Sequence, residues 1–263
     1  VITAGRATTI QDRGRTGLAH LGVPRAGAVD VAAADLANRL VGNAPGAAVL
    51  ETNGGLVVEA GRPLVVATGG HRSTLAFGDR VMVEPAADQM WAYLAIRGGV
   101  DVLPVLGSRC HDTLSGLGPA VIADGVELPV GADPGTDLPA DHAPVRRRTD
   151  PIRLWQGPRR DRIADPMAIL TGRRWTVSAS VSRVGVRLDA GPFVTVSDER
   201  LASEGLVPGA IQITPSGEPI VMLANHPTTG GYPVVAVVDP DDLHLVAQAR
   251  PGATLRFTVT SAR

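Results

Sequence analysis

The chain has 263 residues, 44% of them hydrophobic but only 3% aromatic, and a formal net charge of −1. That length holds one large domain or two small ones, with a core of Val, Leu, Ile and Ala. The charge gives no electrostatic basis for nucleic acid or an anionic membrane as partner, and no apolar run approaches the ~20 residues needed to cross a bilayer.

In chain order, the first notable segment is Thr8–Arg15, in which hydroxyls, an amide and guanidinium groups crowd around Gly14. Val31–Val41 predicts a helix, with Asp30 as N-cap and Gly42-Asn43 closing it. Short Val-, Leu- and Ile-rich runs between Gly and Pro predict strands at Ala48–Glu51, Leu56–Glu59, Leu64–Ala67, Arg80–Val83 and Trp91–Ile96. Asn53-Gly54-Gly55, between two of these runs, predicts a tight hairpin. Gly131–Pro151 repeats Pro, Asp and Gly with few large apolar residues and predicts a linker, dividing the chain into domains 1–145 and 146–263.

The second half predicts strands at Arg153–Gln156, Thr176–Ser180, Ile211–Thr214, Ile220–Leu223, Val234–Val238 and Thr254–Val259. A turn is expected at Asp165-Pro166. A helix is expected from Asp239-Pro240-Asp241-Asp242 to about Gln248, with carboxylates and Pro in its first turn. Arg183 and Arg187 lie four apart, so an uninterrupted strand would put both guanidinium groups on one face, as an anion clamp or a solvated stripe. Thr228-Thr229-Gly230-Gly231-Tyr232-Pro233 reads either as an ordinary tight turn or as a surface suited to oxyanions.

All 25 Lys-plus-Arg positions are arginine. The absence of lysine removes Schiff-base chemistry, a Ser-Lys dyad and the lysine of a phosphate-binding loop. The six histidines show no metal-ligand spacing, and no Gly-x-Ser-x-Gly elbow is present. Cys110, the only cysteine, excludes an internal disulfide framework and fits a reducing cytoplasm. It does not form a dyad with His111 by adjacency, because neighbours on a strand point to opposite faces. Asp12, among Gln11, Arg13 and Arg15, and Glu51, at the end of an apolar run, are the carboxylates of interest.

The blocks Thr8–Arg15, Gly22–Asp30, Ala37–Asn43, Ala95–Gly99, Leu106–Arg109, Gln156–Pro158, Ser182–Leu188, Gly209–Gln212, Thr228–Pro233 and Ala247–Gly252 together resemble the allophanate hydrolase subunit 2 family. They follow the family's order over nearly the whole chain. That family includes biotin-dependent carboxyltransferase-like proteins and the 5-oxoprolinase subunit designated C. The resemblance implies an all-β fold with a few short helices, as two tandem cyclophilin-like β-barrels. It implies a cytoplasmic subunit, inactive alone, of an ATP-dependent 5-oxoprolinase that opens 5-oxo-L-proline to L-glutamate. Its partners would be a subunit 1 homologue and a third hydrolase subunit.

On that reading Asp12, Glu51 and Arg97 are the catalytic candidates. Gln11, Arg15, Arg109, Arg183, Arg187, Gln212, Thr228, Thr229, Gly230, Gly231 and Tyr232 are the candidates for binding substrate or ATP. ATP, with or without Mg, is the expected cofactor; no metal site of the chain's own and no covalently bound biotin are expected. The Thr8–Arg15 block, Arg97, Arg109 and Thr228–Tyr232 are expected to converge on one cleft.

Two alternatives stay open: a carboxyltransferase component of urea or allophanate metabolism, and a non-catalytic regulator binding a kinase-inhibitor-like partner. The chain departs from the family pattern twice. Val181-Ser182-Arg183 lacks an acidic residue common there, and Leu223-Ala224-Asn225 has Asn for Asp, so a base or a metal contact is put in doubt.

Overall fold

A computed structural model describes residues 1–144, 151–189, 191–196 and 201–260. The chain divides into one unit of Val1–Leu18 with Arg25–Arg147 and another of Ala19–Pro24 with Arg148–Arg263. The expected boundary between 145 and 146 lies outside the described residues. The fold is mostly β, with three α-helices among the described residues.

The first unit contains β1 (Thr9–Gln11), α1 (Val31–Leu40), β2 (Val49–Thr52), β3 (Leu56–Glu59), β4 (Leu64–Thr68), β5 (His71–Leu75), β6 (Arg80–Val83) and β7 (Ala92–Ile96). Five strands form a sheet in the order β1-β2-β7-β4-β5, and β3 pairs with β6 as a separate ribbon. Sheet and ribbon share one apolar core that includes Leu50, Leu56, Val66, Val83, Leu94 and Ile96. Every residue of β7 is buried. One of its faces enters this core, and α1 packs against the strand, so it reads as a continuous apolar run. Asp30 caps α1 as expected, its side chain accepting from the Ala33 N–H at 3.0 Å.

The expected hairpin at Asn53-Gly54-Gly55 is not formed: β2 pairs with β1 and β7, and β3 with β6. The chain turns a corner from sheet to ribbon there. Gly54 and Gly55 take φ of +111° and +77°, and Gly5 packs so closely that a Cβ on it would lie 2.4 Å from the Gly54 carbonyl oxygen. The glycines serve close backbone approach rather than a two-residue turn.

The second unit contains β8 (Ile152–Gln156), α2 (Pro166–Thr171), β9 (Arg174–Val181), β10 (Gly185–Leu188), β11 (Glu204–Gly205), β12 (Ala210–Ile213), β13 (Pro219–Met222), β14 (Thr229–Gly230), β15 (Val234–Val238), α3 (Leu243–Ala247) and β16 (Thr254–Val259). Seven strands close a barrel in the order β10-β13-β12-β15-β8-β16-β9. Only β8–β16 is parallel. Alternation sets the inward face: Trp175 and Val177 on β9, and Leu255 and Phe257 on β16, are buried while their neighbours face outward.

Three expectations are corrected here. Arg183 and Arg187 do not share a strand face, because Arg183 lies in the β9–β10 hairpin turn, closed by the Ser182 N–H donating to the Gly185 carbonyl at 3.1 Å. Thr228–Pro233 is not a simple turn, since Thr229-Gly230 pairs with Gly205 and Glu204 as a short antiparallel ladder. The last helix is shorter than expected, because Asp239 and Asp242 are drawn off to Arg153. Asp242 takes the Arg153 backbone N–H and its guanidinium at 2.8 Å each.

Candidate functional site

In the second unit β9, β10, β12, β13 and the β14 segment surround a cleft of about 460 Å³. Its apolar surface comes from Val181, Val184, Ile220, Met222 and Pro227, and its polar groups from Ser180, Ser182, Arg187, Gln212 and Tyr232. The volume lies within the ~300–1,000 Å³ usual for small-molecule sites.

Gln212 organises one wall. It is 3% exposed, and its Nε2 donates to the Tyr232 carbonyl at 2.9 Å, which ties the Gly230–Tyr232 segment to β12. Gly230 packs closely there: a Cβ would lie 2.8 Å from both Gln212 Nε2 and Leu206 Cδ1, so these side-chain ends would have to shift. The segment is held from its other side by the Leu206 N–H donating to the Thr228 carbonyl at 2.9 Å, and by the β11 ladder. Glu204 of that ladder is itself gripped by Arg159, whose Nε donates at 2.8 Å. The Arg159 guanidinium lowers the Glu204 carboxyl below the usual range, so Glu204 stays ionised at neutral pH.

Among the described residues Arg187 is the one charged residue lining this cleft, and its Nη1 donates to Glu218 Oε2 at 3.0 Å. Exposed and held by a single described partner, it can turn part of its fork of donors toward a carboxylate. Arg183 is placed differently. It is 5% exposed, and its Nε donates to Asn225 Oδ1 at 2.9 Å, while the Asn225 N–H returns a bond to the Arg183 carbonyl at 2.9 Å. Burial pushes the Arg183 guanidinium down to about 9, still cationic at neutral pH. The two departures from the family pattern therefore flank one buried contact: Ser182 precedes Arg183, and Asn225 is its partner.

The first-unit candidates fall into three places. Asp12 accepts from Ser108 Oγ, Arg109 N–H and Gly14 N–H, at 2.6, 2.6 and 2.7 Å. Arg15 beside it donates to the Val105 carbonyl at 2.9 Å and to the Cys110 sulfur and carbonyl at 2.8 Å each. The Arg109 guanidinium bonds the Val102 carbonyl at 2.7 Å and Asp101 at 3.0 Å. Gln11 is fully buried; its Nε2 bonds Thr9 Oγ1 and the His111 carbonyl at 3.0 Å each, and its Oε1 has no partner among the described residues. Burial pushes the Cys110 thiol up, away from a reactive thiolate.

Glu51 lies elsewhere, fully buried, with Oε2 accepting from the Val29 N–H and the Tyr93 hydroxyl at 2.8 Å each. Burial raises the Tyr93 phenol well above its ordinary value, so it remains a proton donor. Arg97 occupies a third place. It grips Asp133 with bonds of 2.8 and 2.9 Å and caps the Val41 and Thr136 carbonyls at 3.0 and 2.7 Å.

Thus the second-unit cleft gathers Arg187, Gln212, Gly230, Gly231 and Tyr232, while Asp12, Glu51, Arg97 and Arg109 belong to the first unit. A larger cleft of about 580 Å³ in the first unit is lined by α1, Trp91, Tyr93, Glu84 and Asp88. Among the described residues its charged lining is acidic, and none of the arginine candidates lines it. Sequence reasoning did not name Ser180 and named Ser182 only as a departure from the family pattern; their alternation with Val181 along the end of β9 was the available signal. Among the described residues no group of three or more His, Cys, Asp or Glu is placed to hold a metal ion. Among the same residues no helix is long and apolar enough to cross a membrane.

Comparison with known proteins bears on the whole chain. The 5-oxoprolinase subunit designated C in Escherichia coli is 33% identical over 99% of this chain and 91% of its own length. The crystal structure of TTHA0988 superposes with a TM-score of 0.87 at 34% identity, over 98% of this chain but 55% of that one. The Kluyveromyces lactis (K. lactis) urea amidolyase superposes at 0.90 with 27% identity, over 99% of this chain and 18% of that much longer protein. The chain thus spans about half or less of the two crystallised chains. The model for the carboxyltransferase domain, subdomain A and B, matches residues 21–259. The chain belongs to the carboxyltransferase domain, subdomain A and B, family.

Proposed function

We propose that the chain is a subunit of an ATP-dependent 5-oxoprolinase and that its second-unit cleft holds the lactam. The observation that carries this reading is the cleft itself: apolar surface, serine hydroxyls and, among the described residues, a single cationic side chain, Arg187, on a chain 33% identical to a 5-oxoprolinase subunit. 5-Oxoproline has matching parts, a small apolar ring, an amide and one carboxylate. Arg187 would bind the carboxylate in a charge-assisted contact, and Ser180 and Ser182 would orient the ring amide.

A lactam is resonance-stabilised and resists water. Transfer of the ATP γ-phosphoryl to the lactam oxygen, with ADP leaving, would make the ring carbon electrophilic; water then adds and the C–N bond breaks, the nitrogen taking a proton, which leaves an acyl phosphate that a second water hydrolyses to carboxylate and phosphate. One arginine among the cleft's described lining residues, in a chain with no lysine, does not match a triphosphate, so ATP is assigned to another subunit, and this chain's role is to bind and orient the lactam. A subunit 1 homologue and a third hydrolase subunit would complete the enzyme, and the chain alone would be inactive.

The carboxyltransferase reading keeps a specific support in the K. lactis urea amidolyase superposition. A biotin carrier would then be a separate segment or protein, since this sequence has no lysine to bear it. Hydrogen exchange of the assembled complex with and without 5-oxo-L-proline tests the site. The lactam should slow exchange at Thr229–Tyr232 and at Gly185–Leu188; protection confined to other segments would remove the cleft from the reading.

A further inference from the structure

The cleft of about 580 Å³ in the first unit is hollow because many of the residues around it are small. α1 contributes Ala33 and Ala37, the β4–β5 turn Gly69 and Gly70, and the β6–β7 loop Ala86. Trp91 and Tyr93, both buried, add aromatic surface. The Tyr93 hydroxyl is bonded to Glu51 and to the Asp30 N–H at 2.8 Å each, so the ring is the part left to meet a ligand.

The charge in this cleft is held in place by the β6–β7 loop, which starts from buried Val83 and ends on buried Trp91. Glu84 Oε1 accepts the Gly55 N–H at 2.7 Å. Asp88 sits in a turn closed by the Gln89 N–H donating to the Ala86 carbonyl at 2.9 Å. Among the described residues neither carboxylate forms an ion pair, and no cationic side chain lines the cleft. Fixed carboxylates beside aromatic and apolar surface complement a cation on a short apolar body. The rings and methyl groups cover the body, and cation–π attraction adds to the charge-assisted hydrogen bonds.

We propose that this cleft binds a small organic cation, a guanidinium or primary ammonium carried on a short apolar body. The volume falls within the ~300–1,000 Å³ usual for small-molecule sites. An anion would meet like charge, and among the described residues the cleft lacks the ligand cluster that a metal ion needs. This site stands apart from the lactam reading: it uses other residues and takes a ligand of opposite charge, so either can fail without the other.

The probe is n-butylguanidinium, titrated into the complete isotope-labelled chain and followed by proton–nitrogen correlation spectra, with n-butylurea as the uncharged isostere. Binding should be saturable and should shift the Trp91 indole N–H signal, assigned with Trp91→Phe, while the Trp155 and Trp175 signals stay in place. n-Butylurea should bind at least about 10-fold more weakly. Glu84→Gln/Asp88→Asn, which keeps shape and removes charge, should weaken n-butylguanidinium by a similar factor, as should Ala33→Leu, which fills the hollow from α1. Melting curves of the Glu84→Gln/Asp88→Asn chain should match the parent's. No saturable shift at Trp91, equal binding of n-butylurea, or undiminished binding by Glu84→Gln/Asp88→Asn overturns the proposal. So does tighter binding of a blocked tripeptide with a central arginine, which would give the cleft to a protein side chain. Arg146, Arg147 and Arg148 follow lining residue Pro144 closely in sequence. Binding seen only in Arg146→Gln/Arg147→Gln/Arg148→Gln would make the cation the chain's own and likewise overturn it.

Discussion

Glu51→Ala is expected to destabilise the first unit by about 3–5 kcal/mol, lowering its melting midpoint by about 10 °C. The Glu51 carboxylate is fully buried and accepts from the Val29 N–H and the Tyr93 hydroxyl. Tyr93 in turn accepts the Asp30 N–H at 2.8 Å. This chain of bonds pins the start of α1 to β2 and β7, where Glu51 and Tyr93 are register partners. Truncation strands two buried donors and opens a cavity, and both effects are destabilising. Glu51→Gln keeps an acceptor oxygen and should recover part of the loss. A thermal melt of the isolated chain checks both variants. A melt unchanged in Glu51→Ala, with turnover of the complex abolished, would return Glu51 to a catalytic role.

Arg187→Gln is expected to act in the opposite way. Its ion pair with Glu218 is half-exposed, so the melt should move by no more than about 1 kcal/mol. Turnover of the assembled complex should fall roughly 10- to 100-fold in kcat/KM, the loss of one charge-assisted contact to substrate worth about 1.5–3 kcal/mol. Glu218→Gln is the companion variant. It removes the competing carboxylate while leaving Arg187 in place, so it should not reproduce the loss. Steady-state kinetics and a melt on the same preparations decide. Unchanged kinetics in Arg187→Gln would leave the cleft without its recognition element.

The strands were legible because their apolar alternation and flanking glycines are local signals, and α1 was legible through Asp30, its cap. Interruptions depend on partners far away in sequence. Nothing near Gly54 announces that Gly5 packs against it, and Arg153, the residue that draws on Asp242, lies 89 positions upstream. The same limit governed the site. Gln212, Arg187 and the Gly230–Tyr232 segment were legible as polar groups at strand ends, and the structure gathers them at one cleft. Asp12, Arg15 and Arg109 carry the same local signal, yet their donors and acceptors are committed to the Val102–Cys110 loop. A polar loop that binds itself and a polar loop that binds a ligand are alike in sequence; only the placement of the partners separates them.

The central claim is that this chain contributes a lactam-holding cleft to an ATP-driven enzyme whose remaining parts lie on other subunits. Its most direct test is glutamate formation from 5-oxo-L-proline, measured with ATP for the isolated chain, for the other subunits without it, and for the full set reconstituted from purified parts. The account predicts glutamate, matched by ADP release, from the full set alone. Glutamate formation by the isolated chain, or undiminished turnover by the other subunits in its absence, would contradict it.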